Sequence, residues 1–537
     1  LKLRKHLLSL LPNITDIREI RQHWKTDILA GITTGIVALP LALAFGVASG
    51  VGAAAGLITA IVAGIVGAIF GGSRFQVSGP TGAMVVILAP LVAAYGIGVV
   101  PLLSLMAGVL LIVGAVLGLG QVVSLIPWPV IEGFTLGIAF ILIFQQIPNA
   151  LGVEVQAGGN TLLAGFAAIR EASYPQAFLP LAVALITALL IYFLDKISPQ
   201  FPGSLVALAI VTAVAVVAKL PVPTIGEIPN SLPAPHLPPI SAEVVTALLP
   251  GAISVALLAG IESLLSARVA AGMVPGGTYN PDRELLGQGA ANCAVGLFGG
   301  MPATGAIVRT AVNVRAEGRS RLSPVIHSLV LVGVVYGAAQ IVSVIPLSAL
   351  AGVLFVTAGR MIPVHSIRQI SRSTRTDILV FVLTALITVV FDLIWAILIG
   401  VTIATISIMR GLARQSGVRK EYPTKNPRIR TLRIDGAMFF GVADRIEEEI
   451  IRLDDVWVVI LRLSHVGVMD ATGAKTLADI VTTLREADNH VLVVGLRTAH
   501  EELTESMGLT AAAGGKENFF DNIDDAVTAA EKFCSAK

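Results

Sequence analysis

The chain of 537 residues is 55% hydrophobic and only 13% charged, with a mean hydropathy of +0.83, so most of it cannot be a water-soluble globular domain and must lie in lipid. A formal net charge of +2 offers no field for nucleic acid, and its only cysteines, Cys293 and Cys534, can build neither a disulfide framework nor a cysteine-based zinc site. No cofactor, metal or nucleic-acid partner is expected, and the lipid bilayer is the first partner that the composition requires.

Residues 1–26 interleave Lys2, Arg4, Lys5 and His6 with leucines and lack the unbroken apolar core of a cleavable signal, so they read as a cytoplasmic amphipathic segment. Residues 27–414 form the transmembrane region. Apolar runs of roughly 17 to 25 residues there have the length that crosses about 30 Å of hydrocarbon as a helix. Fourteen spans are predicted, near 27–47, 53–70, 77–94, 98–119, 128–148, 177–195, 203–219, 245–270, 284–299, 303–316, 322–343, 346–361, 376–391 and 393–412. Arg74, Lys196, Arg268, Arg283, Arg315, Arg319, Arg321, Arg368, Arg372 and Arg375 fall on the side shared by the two termini. The other side carries chiefly Arg170 and Lys219 and includes the proline-rich loop 221–239. By the positive-inside rule both termini are cytoplasmic and the chain is multi-pass in a cell's inner membrane.

The halves echo each other. Ile126-Pro127-x-x-Val130-x-x-Gly133 recurs as Ile345-Pro346-x-x-Ala349-x-x-Gly352, and Gly71-Gly72 with Thr81-Gly82-Ala83 recurs as Gly299-Gly300 with Thr304-Gly305-Ala306. Seven spans is an odd number, so the second half enters the membrane from the opposite side, which gives a seven-plus-seven inverted repeat. Chance recurrence of small residues is the bland reading of either match.

After Arg410, Arg414, Arg419 and Lys420 the composition changes. Residues 415–428 read as a linker, and 429–537 as a small cytoplasmic α/β domain with strands at 456–461 and 491–494 and helices at 442–452, 472–486 and 522–533. It has neither a Walker-type phosphate loop nor a catalytic cluster, and no enzymatic role is expected.

Two segments carry the chemistry. Ser78-Gly79-Pro80-Thr81-Gly82-Ala83 and Met301-Pro302-Ala303-Thr304-Gly305-Ala306 each place helix breakers before a short apolar run, as at the start of a half-helix inside the membrane. Unpaired N–H groups and the helix dipole at two facing starts would hold an anion. Close packing or a kink is the structural alternative. Arg309 lies in an otherwise uncharged span, where a guanidinium either completes an anion site or joins an ion pair. Glu262 is the matching oddity of the eighth span, a candidate proton carrier or a packing acid. Ser266, one turn later, could supply a hydroxyl ligand. Glu132 and Asp392 lie nearer span ends and read as interfacial.

Val77 to Gly82, Gly260-Ile261-Glu262-Ser263-Leu264, and Pro302 to Gly305 through Arg309-Thr310-Ala311-Val312-Asn313 together resemble the SulP family of anion transporters, solute carrier family 26, over nearly the whole chain. Leu432 to Ile434, the 456–461 strand and Val468-Met469-Asp470-Ala471-Thr472-Gly473 resemble a STAS domain, the regulatory module these transporters share with anti-sigma-factor antagonists. The resemblance implies a core of spans 1–4 and 8–11, a gate of spans 5–7 and 12–14, elevator-like movement between them, a homodimer, and a cytoplasmic regulator at the STAS domain. It puts the substrate near Thr81, Gly82, Ala83, Thr304, Gly305, Ala306 and Arg309, with Glu262 alongside.

Three departures qualify this. Glu262, Ser266 and Ile307 stand where the sodium-dependent bicarbonate branch has Asp and two Thr ligands, which disfavours sodium coupling. Leu41 follows Pro40 where many eukaryotic sulfate transporters have Gln. Ala471 replaces the phosphorylated Ser of the antagonists, leaving Thr472 as the regulatory candidate. The leading expectation is proton-coupled uptake of bicarbonate, a C4-dicarboxylate or sulfate. A passive anion channel, an uncoupled exchanger and a membrane-anchored regulatory scaffold are the alternatives, and a nucleobase permease is disfavoured by the STAS domain and Arg309.

Overall fold

The computed structural model describes residues 9–536 except 13, 122–125, 154–160, 198–201, 227, 229–230, 391–392, 422 and 452–454. Lys2, Arg4, Lys5, His6 and Asp392 therefore lie outside the described residues. The chain divides into two units, Leu1–Val401 and Thr402–Lys537.

The first unit is largely helical. In chain order it comprises α1 (Ile14–Ala48), α2 (Ala53–Phe70), β1 (Ser78–Gly79), α3 (Gly82–Tyr95), α4 (Val100–Val116), α5 (Trp128–Leu151), α6 (Thr161–Glu171), α7 (Phe178–Ile197), α8 (Gly203–Val217) and α9 (Ala242–Gly272). There follow α10 (Pro281–Leu297), β2 (Thr304–Gly305), α11 (Ile307–Arg315), α12 (Leu322–Ser343), α13 (Leu347–Met361), α14 (Val364–Ile370), α15 (Arg375–Val390) and α16 (Leu393–Gln415), which runs across the boundary into the second unit. Every predicted span has its helix, and among the described residues eight helices are long and apolar enough to cross a membrane unaided.

Three departures from the sequence reading have physical causes. α1 runs unbroken from Ile14 across the expected boundary at 26, and its acids find partners from far along the chain. Asp16 pairs with Arg283 at 2.7 Å and Arg321 at 3.1 Å, Glu19 with Arg74 at 2.6 Å, and Asp27 accepts from the Ser320 hydroxyl at 2.5 Å. α6 and α14 are extra, each too short to give a span signal. The third and tenth spans begin as extended chain and turn helical only at Gly82 and Ile307.

Helices α1–α4 pack with α9–α12, and α5–α8 pack with α13–α15. Without a hydrophobic drive between helices in lipid, such contacts rest on close approach. A Cβ at Gly31 of α1 would lie 2.5 Å from Ile326 of α12, and one at Gly108 of α4 would lie 2.6 Å from the Cys293 amide of α10.

The second unit holds a six-stranded sheet of β3 (Gly417–Glu421), β4 (Ile429–Met438), β5 (Val458–Arg462), β6 (Val466–Met469), β7 (His490–Val494) and β8 (Phe519–Phe520), ordered β3-β4-β5-β7-β8 with β6 also on β4. Only β3 is antiparallel to its neighbour. Alternation divides the apolar residues between two faces. Leu432, Ile434, Val459, Leu461, Val491 and Val493 pack with α17 (Ala443–Ile451) and α18 (Ala471–Glu486), whereas Ile429, Val458, Ile460, Leu492 and Val494 pack with Ala526 and Ala530 of the C-terminal helix Ile523–Ala536. Residues 417–421, assigned to the linker by sequence, form the edge strand. Its charges pair across strands, Arg419 with Asp435 at 3.1 Å and Glu421 with Arg433 at 2.7 Å and Arg462 at 3.0 Å, which no local pattern reveals.

Candidate functional site

The site begins with two stretches of backbone that are neither helix nor loop. β1 and β2 pair antiparallel, Ser78 opposite Gly305 and Gly79 opposite Thr304, and the Ala306 amide donates to the Val77 carbonyl at 2.9 Å. Such backbone in a membrane must be satisfied within the protein. Buried polar side chains complete it. Asn292 brackets Ala303, accepting from its amide at 2.8 Å and donating to its carbonyl at 2.9 Å. The Thr59 hydroxyl accepts from the Met301 amide at 2.8 Å, and Ser263 accepts from the Gly305 amide at 2.9 Å. Gln288 donates to the Ser78 hydroxyl at 2.8 Å, and Asn313 donates to the Phe75 carbonyl at 2.9 Å.

Past the crossing each segment enters a helix through an extended residue, Thr81 (φ −130°, ψ 163°) into α3 and Ala306 (φ −87°, ψ 112°) into α11. Neither side chain caps its helix. Thr81 is diverted because its hydroxyl donates to Glu262 Oε2 at 2.9 Å. The first-turn N–H groups of both helices thus keep their partial positive charge without a side-chain acceptor.

These two starts open on a cavity of about 270 Å³. Its walls come from α1 (Leu41, Phe45), α3 (Thr81, Gly82), α5 (Ile131, Phe134, Thr135, Ile138), α9 (Ile261, Glu262, Leu265), the 305–309 stretch and α13 (Thr357, Arg360, Met361). It is mostly apolar, with three charged groups among the described lining residues: Glu262, Arg309 and Arg360. Arg309 is 1% exposed, and one of its guanidinium nitrogens donates to the Pro80 carbonyl while Nη1 has no partner. Gly79 makes room for it, since a Cβ there would lie 2.5 Å from that Nη1.

Of the residues singled out from sequence, Thr81, Gly82, Glu262, Gly305, Ala306 and Arg309 line the cavity together. Three do not. Ala83 is buried beside it, so only its amide belongs to the helix start. Thr304 turns away, its hydroxyl donating to the Ala259 carbonyl at 3.1 Å and meeting Ser263 at 2.9 Å. Ser266 donates to Thr310 at 3.2 Å and is fully inside the bundle. Helix phase turns Ser266 onto the α9–α11 contact, and Thr304, on β2, faces α9. In the second unit Asp470 caps α18, accepting from the Gly473 amide at 2.8 Å, and Thr472 is exposed on its first turn. Glu132 accepts from the Trp128 indole at 2.8 Å near the start of α5.

Sequence reasoning gave no role to Thr59, Ser263, Gln288, Asn292 and Asn313, which hold the crossing, to Gln76, which donates to the Ser263 carbonyl at 3.0 Å, or to Arg360. Gln288 and Asn292, spaced i, i+4 in an apolar span, were the available signal. A second cavity of about 300 Å³ lies at the other end of α3, lined by Ala89, Pro90, Phe144, Gln145 and Pro148 among others. Between the two, Leu142 packs on Gly82, 2.5 Å from where a Cβ would stand. Among the described residues no cluster of His, Cys, Asp or Glu could hold a metal ion.

Comparison with known proteins supplies an independent view. A family model described as the sulfate permease family matches residues 24–384, and one for the STAS domain matches 423–526. The chain is 35% identical over 521 residues to "Putative sulfate transporter YvdB" of Bacillus subtilis (strain 168), covering 94% of this chain and 97% of that one. It is 33% identical over 499 residues to the bicarbonate transporter BicA of Synechocystis sp., covering 87% and 88%. The solved transmembrane domain of a cyanobacterial BicA superposes with a TM-score of 0.66 at 32% identity, over 70% of this chain and 97% of that one. The murine Slc26a9 anion transporter shares the fold, with a TM-score of 0.87 at 17% identity over 98% and 94% of the two chains.

Proposed function

Because the chain belongs to the sulfate permease family and ends in a STAS domain, we propose that it is a secondary active transporter that takes up a small anion together with a proton. The family is one of anion transporters, not enzymes. Bicarbonate, sulfate and a C4-dicarboxylate are the candidate substrates, the first two being those in the names of its relatives. The anion lies against the amides that begin α3 and α11, with Arg309 behind them. The α1–α4 and α9–α12 group is the moving core, and the α5–α8 and α13–α16 group the gate. Both termini and the STAS domain are cytoplasmic, the protein is a homodimer in the inner membrane, and a cytoplasmic partner acts at the Thr472 end of the STAS domain.

One observation carries the coupling: the Thr81 hydroxyl that begins α3 is bonded to Glu262. The proton state of that carboxyl is therefore wired to the helix end that meets the anion, since a carboxylate only accepts and a carboxylic acid also donates. The seam at Leu142 and Gly82 between the two cavities favours alternating access over a continuous pore. Ser266, turned into the bundle, and Ile307, in the cavity wall, offer sodium no ligand set.

The test separates the two charges. Arg309 keeps its proton, so Arg309→Ala should weaken binding of every anion by about a hundredfold, the loss expected for a buried guanidinium partner. Glu262→Gln keeps shape and hydrogen bonding without the proton site. Exchange of labelled anion at equal concentrations should persist in Glu262→Gln, while accumulation driven by a pH gradient fails. Undiminished pH-driven accumulation in that variant would make Glu262 structural and sink the coupling.

A further inference from the structure

Arg360 takes no part in the site as read from sequence, yet it lines the same cavity. It comes from α13, in the helix group that faces Glu262 and Arg309 across the cavity. Glu262 and Arg309 both come from the first group. Arg360 comes from the second, and its guanidinium pairs with Asp195 near the end of α7, a carboxylate that does not line the cavity and sits beside Gly203 at the start of α8. The two side chains are 47% and 34% exposed. A pair this open to water is weak and readily exchanged for another anion, and a guanidinium presents its donors in a planar fork suited to oxyanions.

We propose that Arg360 is the gate-side cation of the transport site: it rests on Asp195 when the cavity is empty and transfers to the substrate oxyanion when one enters, so that Asp195 competes with the substrate and sets its affinity. This rests on the cavity being the anion site, and deepens that reading by placing a positive charge on each wall. Such charges on opposing walls also raise the local concentration of anions at the mouth.

The competition makes the two partners' variants move in opposite directions, which a structural ion pair would not do. Initial rates of sulfate and of bicarbonate uptake are measured with the full chain in liposomes, using whichever the wild type carries. Arg360→Gln should raise KM about fivefold to tenfold, less than a buried charged hydrogen bond would lose because this guanidinium is half exposed, with the saturating rate within about twofold, and Arg360→Lys should recover part of the loss. Asp195→Asn should lower KM by about twofold to threefold. An unchanged KM in Arg360→Gln, or a raised KM in Asp195→Asn, would overturn the proposal, the second outcome showing a brace between α7 and α13. If Arg360→Gln does not fold, the sign of the Asp195→Asn effect alone decides. Arg309→Ala run in parallel separates the two levels: an effect there with none in Arg360→Gln leaves the site standing and removes only this assignment, whereas no effect in either removes the site.

Discussion

The two units treat extended backbone in opposite ways. In the STAS domain the central strands are satisfied by their neighbours, β4 by β3, β5 and β6, and β5 by β4 and β7, so side chains are left to pack. In the membrane unit β1 and β2 have only each other over two residues apiece, and Asn292, Ser263 and Thr59 supply to the crossing backbone what further strands would. Sheet hydrogen bonding is generic and tolerates substitution. A crossing completed by side chains depends on a few particular residues, because in lipid no water substitutes for a lost partner.

The contrast can be broken at its strongest point. Asn292→Leu leaves the amide and carbonyl of Ala303 buried without partners, and at about 1–3 kcal/mol for each such group the membrane unit should lose about 2–6 kcal/mol. Thermal unfolding of the detergent-solubilised protein should show a lower midpoint for the membrane unit and an unmoved transition for the STAS domain. An unmoved membrane transition would mean that the crossing is held by β1–β2 pairing alone.

The opposite sign is expected in the sheet. The Thr431 hydroxyl of β4 is buried without a partner, the backbone around it being satisfied already. Thr431→Val removes an unsatisfied group at almost constant shape and should stabilise the STAS domain by about 1 kcal/mol, read from its chemical denaturation midpoint. Destabilisation would show that the hydroxyl has a task in the fold.

The smallest effect is a pH dependence confined to the same domain. His490 stacks on Phe533 with ring centroids 4.3 Å apart, and burial, aided by nearby Arg485, holds its pKa below the ordinary histidine value. The unfolded chain then takes up a proton that the folded domain resists, so STAS stability should be full at neutral pH and decline as pH falls below about 6.5. His490→Gln should flatten that part of the stability profile. A profile that rises on acidification would reverse the assignment.

How much of this was legible depends on the range of the interactions involved. Spans, the STAS fold and the breaks ahead of the third and tenth helices were readable because apolar runs, alternation and Pro-Gly breakers are local signals, whereas the helical starts at Gly82 and Ile307 fall several residues later than the apolar runs suggest. Glu262 and Arg309 stood out because charge in an apolar span is conspicuous. Arg360 did not, since an arginine at a span end looks like an ordinary loop cation until Asp195 and the cavity wall are seen beside it. Ser266 sits at the expected height but the wrong rotation, which helix packing decides and sequence spacing does not, and Thr304 lies on a short strand that turns its hydroxyl toward Ala259 and Ser263. α1 extended past its expected start for a similar reason: Asp16 and Glu19 look like solvated loop charges until Arg74, Arg283 and Arg321 arrive from far along the chain.

The β1–β2 pairing also bears on how the protein is made. Ser78 leaves the ribosome more than two hundred residues before Gly305, its opposite number. Through that interval the third span offers the bilayer a short unmatched strand that lipid cannot satisfy. Its membrane insertion must therefore be provisional, with the segment held at the translocon, in water or by neighbouring helices until the tenth span is synthesised. Either half made alone should be a poor membrane protein, and the two made as separate chains should rescue each other by meeting at this seam.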